Sequence, residues 1–175
     1  MKTTASALLA LCLLATSAAW AATPQTLTWP QLIPEGAPPP PPPVPLHDIS
    51  QLSDALNAES GPAARQQSPA APVVQALDGQ QVKLPGYIVP LDVGQDGEVN
   101  EFLLVPYYGA CIHVPPPPSN QIVYVHQAHG VKMDELYQPY WVVGRMQVKH
   151  IDSDLAQAGY QLKADEVTPY EYEGE

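Results

Sequence analysis

A cysteine and a histidine one residue apart, Cys111 and His113, are the first residues whose types and spacing could do chemistry. They lie in residues 109–121, GACIHVPPPPSNQ. In an extended backbone alternate side chains share a face, so this spacing would place the thiol and the imidazole side by side. Such a pair could ligate zinc or copper(I), or hold a thiolate activated by an imidazolium. It could equally be a buried, inert pair, because cysteine is among the most buried residue types.

Two further histidines, His126 and His129, follow in HQAHGVKMDE. A spacing of three places two side chains on one face of a helical turn. Together with Cys111 and His113 they would form a Cys-His₃ set, which is acceptable for zinc or copper. The alternative is that both histidines only contact solvent at the tip of a hairpin. Acidic residues lie close by in the sequence and could add an oxygen ligand: Asp134 and Glu135.

Four consecutive prolines, residues 115–118, separate the Cys-x-His pair from Asn120 and Gln121. Proline lacks an amide proton and fits poorly in a paired strand, so we expect a rigid exposed wall here. Such a wall could orient the neighbouring ligands. The segment VPPPPSN, residues 114–120, could instead dock a partner protein.

Motifs of other chemistries are missing from the sequence. It contains no G-x-S-x-G, no glycine-rich phosphate loop, no C-x-x-C and no H-E-x-x-H. A Cys-His hydrolase would need a third orienting group and an oxyanion hole, and the sequence identifies neither. These observations favour a non-enzymatic protein with no catalytic residues.

The first 21 residues have the pattern of a secretory signal peptide. Lys2 supplies the positive end, residues 7–15 the apolar stretch, and Ala19-Trp20-Ala21 the cleavage site. We therefore expect cleavage after Ala21 and a periplasmic location. The apolar stretch is too short to span a membrane, and no later segment is long and apolar enough. Cleavage would also remove Cys12, leaving Cys111 as the single cysteine in an oxidising compartment.

Composition excludes several classes of protein. The 22 prolines among 175 residues exclude a bundle of long helices. The formal net charge is −11, and loss of Lys2 with the signal peptide makes it one unit more negative. Binding to nucleic acid needs clustered Lys and Arg, and anionic membranes attract the same residues, so both partners are excluded.

Residues 22–72 divide into an N-terminal arm, a spacer, a short helix and a linker. The arm carries an apolar group around Trp29 and is expected to dock on the domain. Six prolines at 38–43 predict a stiff polyproline II spacer. Apolar residues at spacings of three and four in 46–56 predict a short helix, and residues 59–72 a linker.

Residues 73–175 predict a β-rich domain. Short alternating runs are separated by turn signals such as Asp78-Gly79, and two runs contain a glycine, Gly86 and Gly144. Glycine within a strand often marks a bulge or a tight bend in a barrel. The fold class is therefore mainly β: a small single-domain β-barrel, of which an OB-like barrel is one form, with one or two short helices. One helix is expected at 151–158, ending at Gly159.

Several blocks of the sequence resemble an exported bacterial family catalogued as a domain of unknown function. They are TWPQLIP, LDGQQVKLPGYIVPLD, EFLLVPYYGACIHVPPPPSNQIVYV and YWVVGRMQV, and they cover nearly all of the mature chain. Members of that family are often encoded beside ABC-type transporters in settings of zinc limitation. The resemblance therefore implies a periplasmic accessory to metal or small-molecule handling, with no catalytic residues to carry over.

Residues and resemblance together predict a periplasmic, non-enzymatic accessory protein beside an ABC transport system. It would bind zinc through Cys111, His113, His126 and His129. The alternative is an interaction or structural module that docks a partner through residues 114–120, with Cys111 buried and no metal. A thiol enzyme or redox sensor is a third hypothesis, which would require a depressed pKa at Cys111.

Overall fold

The computed structural model describes residues 23–39, 65–95, 97–111, 114–132 and 138–171, without the side chains of residues 128 and 129. The expected signal peptide, most of the proline spacer and the helix at 46–56 lie outside these residues. The strands are β1 (Gln25–Thr26), β2 (Gln81–Val93), β3 (Glu98–Val105), β4 (Val123–Lys132), β5 (Tyr140–Gln147), β6 (Ile151–Asp152), β7 (Gln157–Ala158) and β8 (Tyr160–Pro169). Single 3₁₀ turns occupy Trp29–Leu32, Gln75–Leu77 and Ser119–Gln121.

Five of these strands form a closed barrel in the order β2-β3-β4-β8-β5, and β5 returns to pair with β2. The pair β4–β8 is parallel, and the other four pairs are antiparallel. This order, with a parallel third and fifth strand, is the topology of the OB fold. The expectation of a small, mainly β barrel is confirmed. Among the described residues, no helix is long and apolar enough to cross a membrane.

The long strand β2 closes the barrel because it bends at Gly86. Its first half pairs with β5 as far as Gly86–Tyr140, and its second half pairs with β3 from Tyr87–Val105 onward. A Cβ atom at Gly86 would lie 2.8 Å from Leu104 Cγ. Glycine is required here because any side chain would push β3 away from the bend.

Both sides of the β3 wall are buried, because successive side chains of a strand alternate between its faces. Phe102 and Leu104 point into the barrel, where one apolar cluster fills the interior. Leu103 and Val105 point outward, into a second cluster that includes Ile122 and partly buried Cys111. This second cluster supports the candidate site.

The N-terminal arm packs against the barrel, as its apolar residues predict. Leu27 and Leu32 are fully buried, and β1 adds to β2 in parallel. Trp29 donates its indole N–H to the Pro85 carbonyl over 2.8 Å. The hydroxyl of Tyr160, in β8, donates to the Leu32 carbonyl over 2.7 Å and so ties the arm to the last strand of the barrel.

The expected helix at 151–158 is wrong: this segment is a hairpin of β6 and β7. Ile151 pairs with Ala158, and the turn between the strands is closed at Ser153. The Ser153 hydroxyl donates to the Ala156 carbonyl over 2.6 Å and accepts from the Ala156 amide over 3.1 Å. A serine that bonds its neighbouring backbone in this way favours a turn over a helix.

Candidate functional site

The backbone reverses at Cys111, so the extended geometry expected for the Cys-x-His pair is wrong at its first residue. Gly109 and Cys111 have left-handed φ angles of 82° and 66°. Val114 then donates its amide to the Gly109 carbonyl over 3.3 Å, which closes a tight loop. Glycine enters the left-handed region freely, whereas a residue with a Cβ atom does so at a cost. His113, the other member of the pair, lies outside the described residues.

The thiol of Cys111 is half-buried within the second apolar cluster. Burial raises its pKa to about 12, because apolar surroundings disfavour the thiolate. Tyr107 lies close enough that burial and the Cys111 charge together raise the pKa of its phenol. Burial therefore favours the protonated thiol at neutral pH and opposes the activated thiolate considered from the sequence.

The four prolines do not form an exposed wall. Pro116, Pro117 and Pro118 are buried. The amide of Gln67 donates to the Pro116 carbonyl over 3.1 Å, and the Gln66 side chain donates to Pro117 over 3.1 Å. Part of the expected linker, residues 65–72, thus lies on top of the prolines, which pack against the chain itself.

Ser119, Asn120 and Gln121 are buried, and their side chains bind the backbone of the same chain. The Ser119 hydroxyl accepts from the Ala71 amide over 3.0 Å. Asn120 donates to the Pro72 carbonyl over 2.8 Å, and Gln121 donates to the Trp29 carbonyl over 3.0 Å. These three residues fasten the arm and the linker to the barrel, which is a structural role.

His126 stands on the outer face of β4, directly opposite Glu101 of β3. Its Nδ1 lies 3.4 Å from Glu101 Oε1, and the two side chains are 52% and 43% exposed. Tyr124, two residues earlier on the same face, donates its hydroxyl to Glu101, and burial together with this carboxylate raises its pKa to about 12. The Glu101 carboxylate therefore interacts with both the phenol of Tyr124 and the imidazole of His126.

His129 lies in β4 rather than on a helical turn, so the expected helical spacing of His126 and His129 is wrong. The partner of His126 is Glu101, but the partner of Val131 is Val99, which shows an irregular stretch of β4 between them. Gln127 is buried in this stretch and donates to the Val99 carbonyl over 3.0 Å. Extra residues in one strand of a pair form such a bulge.

The expected Cys-His₃ set is only partly described, because His113 and the His129 side chain lie outside the described residues, as do Asp134 and Glu135. Among the described residues, no three His, Cys, Asp or Glu side chains come together closely enough to hold a metal ion. Cys111, Glu101 and His126 therefore do not form such a group by themselves. Of the predicted set, only the side chains of Cys111 and His126 are described, and His126 contacts Glu101, a residue that the sequence did not single out.

An open cleft lies beside this pair, between the barrel wall and the hairpin of β6 and β7, with a volume of about 730 Å³. Its wall carries Glu101 and Tyr124, and the hairpin supplies Ile151 to Leu155. The cleft was not expected from the sequence. The sequence signal for it was the acidic segment HIDSDL at 150–155. The prediction of a helix at 151–158 obscured this signal.

The model of a protein family matches residues 29–169: the family of proteins of unknown function DUF3299. The fold is also similar to the crystal structure of a DUF3299 family protein from Pseudomonas aeruginosa PAO1. The two chains are 67% identical, the match covers 87% of this chain and 99% of the other, and the TM-score is 0.75. No curated protein matches the sequence.

Proposed function

We propose that this chain, which belongs to the DUF3299 family, is a periplasmic, non-enzymatic accessory protein that binds zinc beside an ABC transport system. The observation that carries the proposal is the contact of 3.4 Å between His126 Nδ1 and Glu101 Oε1. A metal-binding histidine usually donates its second ring N–H to a carboxylate or a carbonyl. Glu101 is placed to accept that proton.

The pair leaves the other ring nitrogen of His126, Nε2, available to a metal ion. Nδ1 faces Glu101, so a proton on Nδ1 leaves the lone pair of the ring on Nε2, where a metal ion could bind. Tyr124 donates to the same carboxylate and restricts its orientation. The imidazole is half-exposed, so an ion can reach it from solvent.

The other proposed ligands are His129, His113 and Cys111. His129 follows His126 by three residues on the same strand. Cys111 would need to lose its proton and part of its apolar cover. We therefore assign His126 as the primary ligand and Cys111 as the ligand that depends most on rearrangement.

A non-enzymatic role fits the state of the one cysteine of the mature chain. Its raised pKa makes Cys111 a poor nucleophile, since the thiolate is the attacking species. The signal pattern at residues 1–21 supports the periplasmic location. The resemblance given above supports the transport association.

Zinc titration against a competing chelator tests the proposal. We expect His126→Ala to weaken zinc binding by about tenfold or more, the loss of one ligand being of the order of 1.4 kcal/mol or larger. The contribution of each remaining ligand to zinc affinity is measured with three further variants: His113→Ala, His129→Ala and Cys111→Ala. His150→Ala is the matched control, because His150 is not in the proposed set and its nearest carboxylate is that of Asp152. Equal, weak affinity in the wild type and in all four ligand variants would refute zinc binding.

The alternative is a partner-docking module that uses residues 114–120. Within the part of the chain that the structure describes, only Val114 and Pro115 of this segment are partly exposed, because residues 65–72 cover the rest. Half-buried Cys111 agrees with this alternative as well as with the first. A docking role would require residues 65–72 to leave the prolines, so limited proteolysis in this stretch should then increase when the partner binds.

A further inference from the structure

One side-chain amide, that of Gln66, joins three separate segments of the chain. Its Nε2 donates to the Gln157 carbonyl over 2.7 Å and to the Pro117 carbonyl over 3.1 Å. Its Oε1 accepts from the Gln157 amide over 2.8 Å. A primary amide has two N–H donors and one acceptor oxygen, so all of its polar groups are bonded. The three segments are residues 65–72, which we call the strap, the prolines at 116–118 and the hairpin of β6 and β7.

The hairpin forms a two-stranded sheet of its own, separate from the sheet of the barrel. At its end, the Gly159 amide donates to the Ser119 carbonyl over 2.7 Å. Gln66 bonds both the N–H and the C=O of Gln157, as a residue of a neighbouring strand would. The side chain thus takes the place of a third strand on the edge of β7 that faces away from β6.

The prolines at 116–118 present carbonyl acceptors but no amide donors, because proline has no N–H. The strap supplies donors to two of these carbonyls. The Gln67 amide bonds Pro116, and the Gln66 side chain bonds Pro117. The strap is thus bound along the prolines, and Gln66 is the point from which it also reaches the hairpin.

Both segments that Gln66 holds contribute to the surroundings of Cys111. Ala156 and Ala158 of the hairpin belong to the second apolar cluster, against which Cys111 packs. The prolines follow directly on the tight loop that carries Cys111, which ends at Val114. Loss of the Gln66 bonds would therefore loosen the cluster from the hairpin side and from the proline side together.

We propose that Gln66 is the latch of a local opening that controls access to Cys111. While its amide is bound, the strap, the prolines and the hairpin form a closed layer over the second apolar cluster. When the amide is released, the hairpin and the prolines separate and the thiol meets solvent. A local opening of this kind needs less free energy than global unfolding. The latch does not depend on zinc, because it predicts access to the thiol in the metal-free protein.

Alkylation of Cys111 by iodoacetamide in the native mature protein, with a chelator present, tests the proposal. Gln66→Leu removes the three hydrogen bonds without adding charge, and Gln66→Glu keeps the shape but turns a carboxylate toward two carbonyl oxygens. We expect both variants to react about tenfold faster or more, because these bonds no longer oppose opening. The matched control is Gln80→Glu, which makes the same change at an exposed glutamine outside the three segments. It should react within about twofold of the wild type.

Gly79→Ala separates local opening from global unfolding. It strains the backbone at a turn outside the three segments, so the thiol should react within about twofold of the wild-type rate. Hydrogen exchange of the Gln67 and Gly159 amides should quicken in Gln66→Leu by about the factor found for alkylation. An equal rise of alkylation in Gly79→Ala would mean that the thiol is reached only by global unfolding, and would overturn the proposal. An unchanged rate in both Gln66 variants, or the same rise in Gln80→Glu, would overturn it as well.

Discussion

Glu101 contacts two side chains, Tyr124 and His126, that follow it in the sequence by more than twenty residues. Tyr124 donates to its carboxylate, and His126 lies across the β3–β4 ladder with Nδ1 3.4 Å away. A carboxylate in this position selects the imidazole tautomer with the proton on Nδ1. The coordinating power assigned to His126 therefore depends on its neighbour as well as on its own ring.

Cys111 should react slowly in the folded protein. Because burial raises its pKa to about 12, the thiolate is scarce near neutral pH. We expect alkylation at pH 8 to be at least about tenfold slower in the native protein than in denaturant, one unit of pKa being a factor of ten. A native rate equal to that of the unfolded chain would contradict the apolar environment assigned to this thiol.

The same pKa predicts how stability changes with alkaline pH. Below about pH 9 the thiol is protonated in both the folded and the unfolded chain. Between about 9, its ordinary value, and about 12, the unfolded chain loses the proton while the folded chain keeps it, so the free energy of unfolding falls. Urea unfolding of wild type and Cys111→Ala across this window should show a smaller fall in the variant.

At the scale of elements, β5 and β8 lie in close contact at Gly144. The register between them shifts from Val143–Glu166 to Gly144–Ala164, and a Cβ atom on Gly144 would meet the Lys163 carbonyl. Gly144→Ala should therefore lower the free energy of unfolding by about 3 kcal/mol or more. This loss exceeds that of ordinary overpacking, because the new methyl group would meet a backbone carbonyl rather than a side chain that can move.

The control for this element is Gly79→Ala. Gly79 has a φ of 75°, and no atom lies within 4 Å of the position that a Cβ atom would take there. Only backbone strain of about 1–2 kcal/mol is therefore expected. Urea unfolding measures both variants. Equal losses of stability would mean that the close contact at Gly144 is relieved without cost.

The Ser119–Gln121 turn holds the linker on the barrel. Its central residue, Asn120, makes one of the hydrogen bonds to the linker. Asn120→Ala removes the side-chain amide that donates to the Pro72 carbonyl. We expect a loss of about 1–3 kcal/mol and faster proteolysis near residues 65–72. Gln81→Ala, which removes an exposed bond to Asp165, should cost less than about 0.5 kcal/mol. Unchanged proteolysis of Asn120→Ala would contradict the fastening role.

The barrel was predictable because its signals are local. Alternation of apolar residues and the glycines Gly86 and Gly144 belong to single strands, and each marks a bend or a bulge in the structure. The burial of residues 116–118 was not predictable, because residues some fifty positions earlier cover them. The same holds for the Glu101–His126 contact, which depends on the register between β3 and β4.

At the scale of the whole molecule, the net charge restricts what the fold can bind. An OB-type barrel commonly binds nucleic acid or sugars on its strands and loops, but a net charge of −11 opposes any polyanion. The outer face instead presents the Glu101–His126 pair and, beside it, the acidic cleft. The first is assigned to zinc.

Zinc affinity of Glu101→Gln, measured by chelator competition beside wild type and Asp152→Asn, tests the central claim most directly. Loss of a carboxylate that orients a histidine ligand typically weakens metal binding by about 10–100-fold. We predict a loss of this size for Glu101→Gln. Asp152→Asn is the control, because it also removes a negative charge from the cleft but not the carboxylate that contacts His126, and its zinc affinity should stay close to that of the wild type. Equal zinc affinity in all three proteins would contradict the assignment of His126, oriented by Glu101, as the primary ligand.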